Sequence, residues 1–401
     1  TKNLPQKAEG CYLQLQKLGD KFHDNEEINL QLATCAFYMC NNYVTANLPQ
    51  KAEDCYRELL KLATNFPDNK EINLWLANCA FNMSIDYGTA NLLQKAEGCF
   101  KELLKLADKF HDNEEINLLL AHCAFNMSNF YVTANLPQKA EDCFQKLLKL
   151  AGKFPDNEKI NLQLANCAFN MCNNYGTKNL PQKAEGCYLE LLKLGNKFPD
   201  NEEINLRLAN CAVNMTVHYK TANLLENAEG CYHVLQELAD KFHGNEEINL
   251  RLANSAFNMS IFYVTANLPQ KAKGCYHELQ GLADKFHDNE DINLLLAHCA
   301  FYMCNNCETA NLPQKAEDCY HVLQELGDKF HDNEDINLLL ANCAVNMAVH
   351  YETANLLEKA EGCYHELQEL AGKFHSNEEI NLRLANCAFN MSNFYVTANL
   401  P

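Results

Sequence analysis

The segment Asn47-Leu48-Pro49-Gln50-Lys51-Ala52-Glu53-Asp54-Cys55-Tyr56 recurs, with small changes, from Asn3, Asn91, Asn135, Asn179, Asn223, Asn267, Asn311 and Asn355, and begins again at Asn399. Each start lies 44 residues after the last, so the chain is nine copies of one unit without insertion or deletion. A fixed period of this size marks a repeat array, in which each unit buries its apolar face only against its neighbours. That constraint outranks the usual division of 401 residues into two or three globular domains. One continuous array over residues 1–401 is expected.

Composition narrows the class further. With 47% hydrophobic and 21% charged residues the chain has the balance of a packed protein. No apolar run approaches the length of a membrane span, and charges recur too often for one. The net charge of −19 comes without any basic stripe, which argues against nucleic acid as a partner: releasing counterions from phosphates needs a cationic row. The acidity suits a long exposed surface that must stay soluble.

Within the unit, Leu32, Cys35, Ala36, Met39 and Tyr43 fall at helical spacing and predict a first helix, A, over roughly Asn25–Val44. Asp24 is placed to cap it, with Glu27 three residues on. Thr45-Ala46-Asn47 breaks the pattern. Asn47 reads as the next N-cap, Pro49 suits a first turn, and Ala52, Cys55, Tyr56, Leu59, Ala63 and Phe66 continue as a second helix, B. Two helices joined by short turns make an antiparallel hairpin. No stretch alternates with period two over strand length, so almost no sheet is expected.

At these residues the unit resembles the tetratricopeptide repeat. Leu32-Ala33 with Ala36 is similar to that family's block in helix A, Ala52 with Tyr56 to its Ala-x-x-x-aromatic block in helix B, and Pro67 to its terminal Pro. The unit departs from the family in three ways. Ten more residues must be placed beyond the family's 34, most simply as longer helices. The family's Trp position falls on Asn29, and the terminal Pro is often His, as at His23. The resemblance implies an all-α solenoid of about eighteen helices, a right-handed superhelix of antiparallel hairpins.

A second period overlies the first. Asn-Leu-Leu replaces Asn-Leu-Pro at Asn91, Asn223 and Asn355, and Met-Cys-Asn-Asn recurs from Met39, Met171 and Met303. Both sets are spaced by 132 residues, so three hairpins form a block that is present three times. Thr1-Lys2-Asn3 reads like Thr177-Lys178-Asn179, and Thr397 to Pro401 breaks off inside another unit. A segment of a longer array with complementary ends is expected, the condition for head-to-tail stacking into a filament.

Cysteine is the most conspicuous residue, with 21 copies. Helix B carries Cys11, Cys55, Cys99, Cys143, Cys187, Cys231, Cys275, Cys319 and Cys363. Helix A carries Cys35, Cys79, Cys123, Cys167, Cys211, Cys299, Cys343 and Cys387, with Ser255 in the ninth place. These are either small buried residues or one disulfide per unit, within a hairpin (Cys35 to Cys55) or between hairpins (Cys55 to Cys79). The disulfide reading is preferred and would imply an oxidising compartment. Cys40, Cys172 and Cys304 are extra. Cys304-x-x-Cys307 lacks the context of a redox or zinc site.

Asn82, Asn126, Asn214, Asn258 and Asn390 head Asn-x-Ser/Thr sequons at one place in the unit and are candidate glycosylation sites. His23, His111 and their equivalents exchange with Pro67, Pro155 and Pro199, so no shared chemistry needs the ring; His122 and His298 exchange with a surface Asn. The Asp-Asn-Glu-Glu runs fit helix capping and lack the spacing of a calcium loop. No phosphate loop, nucleophile elbow or metal-ligand group is present, so no cofactor and no catalytic residue is expected.

The polar face of helix A does vary. In the tetratricopeptide family this helix lines the groove that holds partner peptides, and by that resemblance Trp75, Asn78, Leu119, Arg207, Asn210, Arg251, Arg383 and Asn386 are candidate groove residues. Two functions follow. The preferred one is a structural, non-catalytic rod or filament that assembles with itself, disulfide-braced, glycosylated and more readily extracellular than cytoplasmic. The other is a scaffold for partner peptides or proteins. The unusual groove residues are scattered rather than gathered in adjacent units, which favours the first.

Overall fold

The computed structural model describes residues 4–309 and 313–397, and these form eighteen α-helices with no strand. The chain separates into two compact units, Thr1–Leu208 and Ala209–Pro401. The first holds α1 (Leu4–Lys21), α2 (Glu26–Thr45), α3 (Pro49–Asn65), α4 (Lys70–Thr89), α5 (Leu93–Lys109), α6 (Glu114–Thr133), α7 (Pro137–Lys153), α8 (Glu158–Thr177) and α9 (Pro181–Lys197). The division falls inside α10 (Glu202–Thr221). The second unit continues with α11 (Leu225–Lys241), α12 (Glu246–Thr265), α13 (Pro269–Lys285), α14 (Glu290–Thr309), α15 (Pro313–Lys329), α16 (Glu334–Thr353), α17 (Leu357–Lys373) and α18 (Glu378–Thr397).

Even-numbered helices are helix A, of 20 residues each, and odd-numbered helices are helix B, of 17 beyond α1. The residues in excess of the tetratricopeptide length therefore lie in the helices, as expected, and the turns stay short. Within each unit a helix A packs on the helix B that follows it and on the next helix A, as in α2–α3 and α2–α4 or α14–α15 and α14–α16. Alanines at the A–A contact, Ala33, Ala36, Ala77 and Ala80, are fully buried and let the backbones approach. Leu59 and Leu103 from helix B close the core between layers, each contributing about 1.5–3 kcal/mol by burial.

Two capping assignments are corrected. The N-cap of helix A is Asn25, not Asp24: its Oδ1 accepts from the Ile28 amide at 3.0 Å, and Asn69 and Asn113 repeat the bond to Ile72 and Ile116. Asn47 does not cap helix B. It sits at φ 56°, in the left-handed region, and ends helix A, with the Leu48 amide donating back to the Tyr43 carbonyl at 2.8 Å. That six-to-one bond is the helix-terminating motif which favours Gly or Asn at its left-handed residue. Asn91, Asn135, Asn179, Asn223, Asn267 and Asn355 repeat it.

Asn29 and its equivalents, at the family's Trp position, form a polar clamp. Asn73 is 3% exposed, and its Nδ2 donates to the carbonyls of Asn69 at 2.8 Å, Pro67 at 3.0 Å and Phe66 at 3.3 Å. One side chain thus adds a second donor to three carbonyls where helix B ends and the next helix A begins, beside the Asn69 amide, Lys109 Nζ and the Asn73 amide. Only the carbonyl of residue 67 is used, and His23 and His111 offer the same carbonyl to Asn29 and Asn117. The exchange of His with Pro at this turn follows from that.

Candidate functional site

The candidate groove residues share one face of helix A, and the structure places several of them against the preceding helix A. Trp75 on α4 stacks on Phe37 of α2, with ring centroids 4.9 Å apart, and is tilted against Tyr38 at 5.9 Å. Arg207 donates from Nε to Asn166 Oδ1 at 2.7 Å and lies over the Phe169 ring. Arg251 donates in the same way to Asn210 and pairs with Glu247. Asn78 instead bonds the Leu74 carbonyl of its own helix. Leu119 is half-buried, and Arg383 and Asn386 lie on α18. Trp75 Nε1 and Arg383 Nε are buried without an acceptor.

Sequence reasoning missed the partners of this row. Asn41, Asn129 and Asn305 accept from Asn82, Asn170 and Asn346 at 2.9 Å, in each case across 41 residues. The aromatic residue of the row also receives histidine: His122 lies on Phe81 and His298 on Phe257, both rings half-buried rather than on the open surface. Burial holds both imidazoles below their ordinary pKa. The constant 44-residue period was the available signal, but it does not say which positions meet across two helices.

The sequon asparagines lie on this face as well. Asn82 is bonded to Asn41, and Asn258 accepts from Lys220 at 3.2 Å and donates to Asn254. The sequon hydroxyls serve helix packing. Ser84 Oγ meets Cys123 Sγ at 3.2 Å, Ser255 donates to Thr216 at 3.3 Å, and Cys299 Sγ contacts Ser260 Oγ at 3.3 Å. Asn126 and Asn390 are half-buried, Asn214 is exposed, and Ser392 stands exposed on α18.

The cysteines stand as thiols, and the expected pairings of Cys35 with Cys55, or of Cys55 with Cys79, are not formed. The two sets face different neighbours. Helix-B thiols meet the tyrosine of the preceding helix B: Cys55 with Tyr12, Cys99 with Tyr56, Cys275 with Tyr232, Cys319 with Tyr276 and Cys363 with Tyr320. Burial pushes the Cys55 and Cys99 thiols up to about 12. The helix-A thiols Cys79, Cys123, Cys299 and Cys343 face Cys40, Ser84, Ser260 and Cys304 of the preceding helix A. An A-to-B disulfide in each unit would require both to turn away from these contacts.

A third row joins the helices B. Lys95 on α5 donates to Glu53 on α3 at 2.8 Å and lies over the Tyr87 ring at 5.1 Å, while Tyr87 also bonds Glu53. Lys51, Lys139, Lys183, Lys271 and Lys359 bridge likewise to Glu9, Glu97, Glu141, Glu229 and Glu317. The hydrogen bond from lysine holds Glu9, Glu53 and Glu317 below the usual carboxylate range. Crevices lie beside these bridges; one of about 350 Å³ is lined by Glu97, Phe100, Tyr131, Lys139 and Lys146. Asparagine caps add further bridges, Asn157 to Glu114 and Asn201 to Glu158, both at 3.1 Å.

Among the described residues no group of three or more His, Cys, Asp or Glu side chains is placed to hold a metal, and no helix is long and apolar enough to cross a membrane. The fold is tetratricopeptide-like. That statement rests on the chain's own hairpins and their A-on-A, A-on-B packing. No protein-family model matches the chain, and neither does any curated protein. Among solved structures, the apo form of RapI is 13% identical, with 94% of this chain and 95% of that one covered and a TM-score of 0.44. BtubC from P. vanneervenii is 17% identical over 63% of this chain and 93% of its own, with a TM-score of 0.40. A tetratricopeptide repeat protein from Parabacteroides merdae is 10% identical, covering 78% and 99%, with a TM-score of 0.34.

Proposed function

We propose that this chain is a structural, non-catalytic helical-repeat protein: one continuous array of nine hairpins forming a regular rod, able to extend head to tail into a filament. The observation that carries this reading is where the polar side chains go. Asparagines and arginines on helix A, caps at the turns, and lysines on helix B each bond the neighbouring hairpin at separations of 41, 43 and 42 residues. A surface given over to bonds between neighbours resists bending and shear at the junctions that carry them. A row of contacts with a 44-residue period also contains nothing that sets a length. Glycans on the sequon asparagines would lie along the helix-A face at regular intervals.

Negative-stain electron microscopy over a range of concentrations tests the reading. Uniform fibres whose length grows with concentration are expected. Single rods at every concentration would overturn the filament and leave the second reading, a scaffold that holds a partner segment along helix A. One observation favours that second reading: Trp75 offers an aromatic stack with Phe37 and Tyr38 and an indole N–H that lacks an acceptor. Its fluorescence, from the one tryptophan in the chain, would report such a partner directly.

A further inference from the structure

We propose that Cys40 and Cys79, and likewise Cys304 and Cys343, are disulfide-forming pairs that lock one hairpin to the next through their A helices. The proposal does not rest on the rod reading. Cys79 Sγ lies 3.2 Å from Cys40 Sγ, and Cys343 Sγ lies 3.2 Å from Cys304 Sγ. Cys40 is on α2 and Cys79 on α4; Cys304 is on α14 and Cys343 on α16. All four side chains are fully buried. The separation is a hydrogen-bond contact between thiols, about 1.1 Å longer than a covalent S–S bond.

The same slot elsewhere shows what is particular to these pairs. Ser84 meets Cys123, Ser260 meets Cys299, and Thr216 meets Ser255, all at closely similar distances. At these junctions the slot holds two small polar side chains facing each other across the A–A contact, so the fold accepts a hydroxyl or a thiol there, and Ala348 takes the equivalent place on α16. A crosslink is chemically open only where both are cysteine. Two of the three residues set apart in the sequence as extra, Cys40 and Cys304, complete these pairs, and the helix-B cysteines take no part.

The reaction is thiol–disulfide exchange with a small-molecule disulfide such as oxidised glutathione. One thiolate attacks the reagent's S–S bond and releases one reagent thiol. The second cysteine then displaces the other reagent thiol from the mixed disulfide. The protein loses two S–H bonds and gains one S–S bond, and the reagent takes up both electrons and both protons. The hydrogen bond with Cys40, together with burial, pushes the Cys79 thiol well above its ordinary range, so in the stacked array the pair is shielded and the thiolate scarce. The bond forms before adjacent hairpins stack or when they part, and afterwards it holds them together.

The test is refolding from denaturant in a buffer of oxidised and reduced glutathione, followed by proteolysis and mass spectrometry without reductant. Cys11, which is exposed, and Cys35, which is partly so, are replaced by serine in every protein to prevent scrambling. Linked peptides joining Cys40 to Cys79 and Cys304 to Cys343 are expected, with a thermal midpoint several degrees above that of the reduced protein. The C40S/C304S variant copies the Ser84 and Ser260 slots, so it should refold to the same helicity while losing both linked peptides and the shift. Linkage of Cys40 or Cys304 to another cysteine would overturn the proposal. So would a helical wild-type protein that yields neither linked peptide.

Discussion

Asn73 Nδ2 lies 3.0 Å from the carbonyl oxygen of Pro67, and the same amide group holds the carbonyls of Phe66 and Asn69. The side chain is buried at the joint between one hairpin and the next, so its removal takes a buried donor from three carbonyls at once, leaving them only the Asn69 amide, Lys109 Nζ and the Asn73 amide. Replacing Asn73 with Leu should cost about 2–3 kcal/mol at that joint. Hydrogen exchange should quicken in the last turn of α3 and the first turn of α4 before it does elsewhere. Pro67→His should stay within about 0.5 kcal/mol of the parent, because only the carbonyl is used and His23 and His111 already occupy the equivalent place.

The left-handed residue at the end of helix A gives a second expectation. Asn91 has φ 60°, where a Cβ-bearing residue without a short polar side chain is strained. Asn91→Val should destabilise by about 1–2 kcal/mol, while Asn91→Gly should change stability by only a few tenths. Chemical denaturation of the two variants side by side separates backbone strain from loss of the side chain.

Gly88 and Phe130 provide a packing test. A Cβ built on Gly88 would meet Phe130 Cε2 at 2.0 Å and Cζ at 2.3 Å, so the ring must move for any larger residue to fit. Gly88→Val should therefore cost about 1–3 kcal/mol, although Val44 and Val132 hold the equivalent place in their own hairpins. Adding Phe130→Leu should restore most of the loss. Failure of that rescue would show that the ring is not the obstacle.

The lysine bridges set a pH dependence. Hydrogen bonding from lysine lowers the carboxyl pKa of Glu53 and Glu317 in the folded chain below their unfolded value. The stabilisation is therefore complete above the unfolded value of about 4.3 and is lost as pH falls through the folded value. Discounted for solvent, the Lys95–Glu53 bridge contributes no more than about 1 kcal/mol. Glu366 works in the opposite direction: burial raises its pKa, so its contribution favours the fold below the unfolded value and fades as pH rises. Thermal midpoints should therefore drop on acidification below about pH 4.3, less steeply in a Lys95→Met variant.

The repeat, the all-helical hairpins, their approximate bounds and the apolar stripe of each helix are legible in the amino-acid order alone. Each of these is local: an i, i+4 spacing such as Leu32–Ala36 or a turn such as Thr45-Ala46-Asn47 is written within a few residues. Even so, adjacent residues competed for the cap, and backbone geometry chose Asn25 over Asp24 and gave Asn47 to the helix that ends. Which side chains meet across neighbouring hairpins emerges only from the packing of one helix on the next. Cys79 faces Cys40 and not Cys55, Asn82 faces Asn41, and the sequon serines Ser84 and Ser260 face thiols rather than water. A 44-residue period makes every such pairing equally regular in the sequence. The choice among them is set by how far one helix is rotated and shifted along the next, and close packing of the alanine faces fixes that only once the chain has folded.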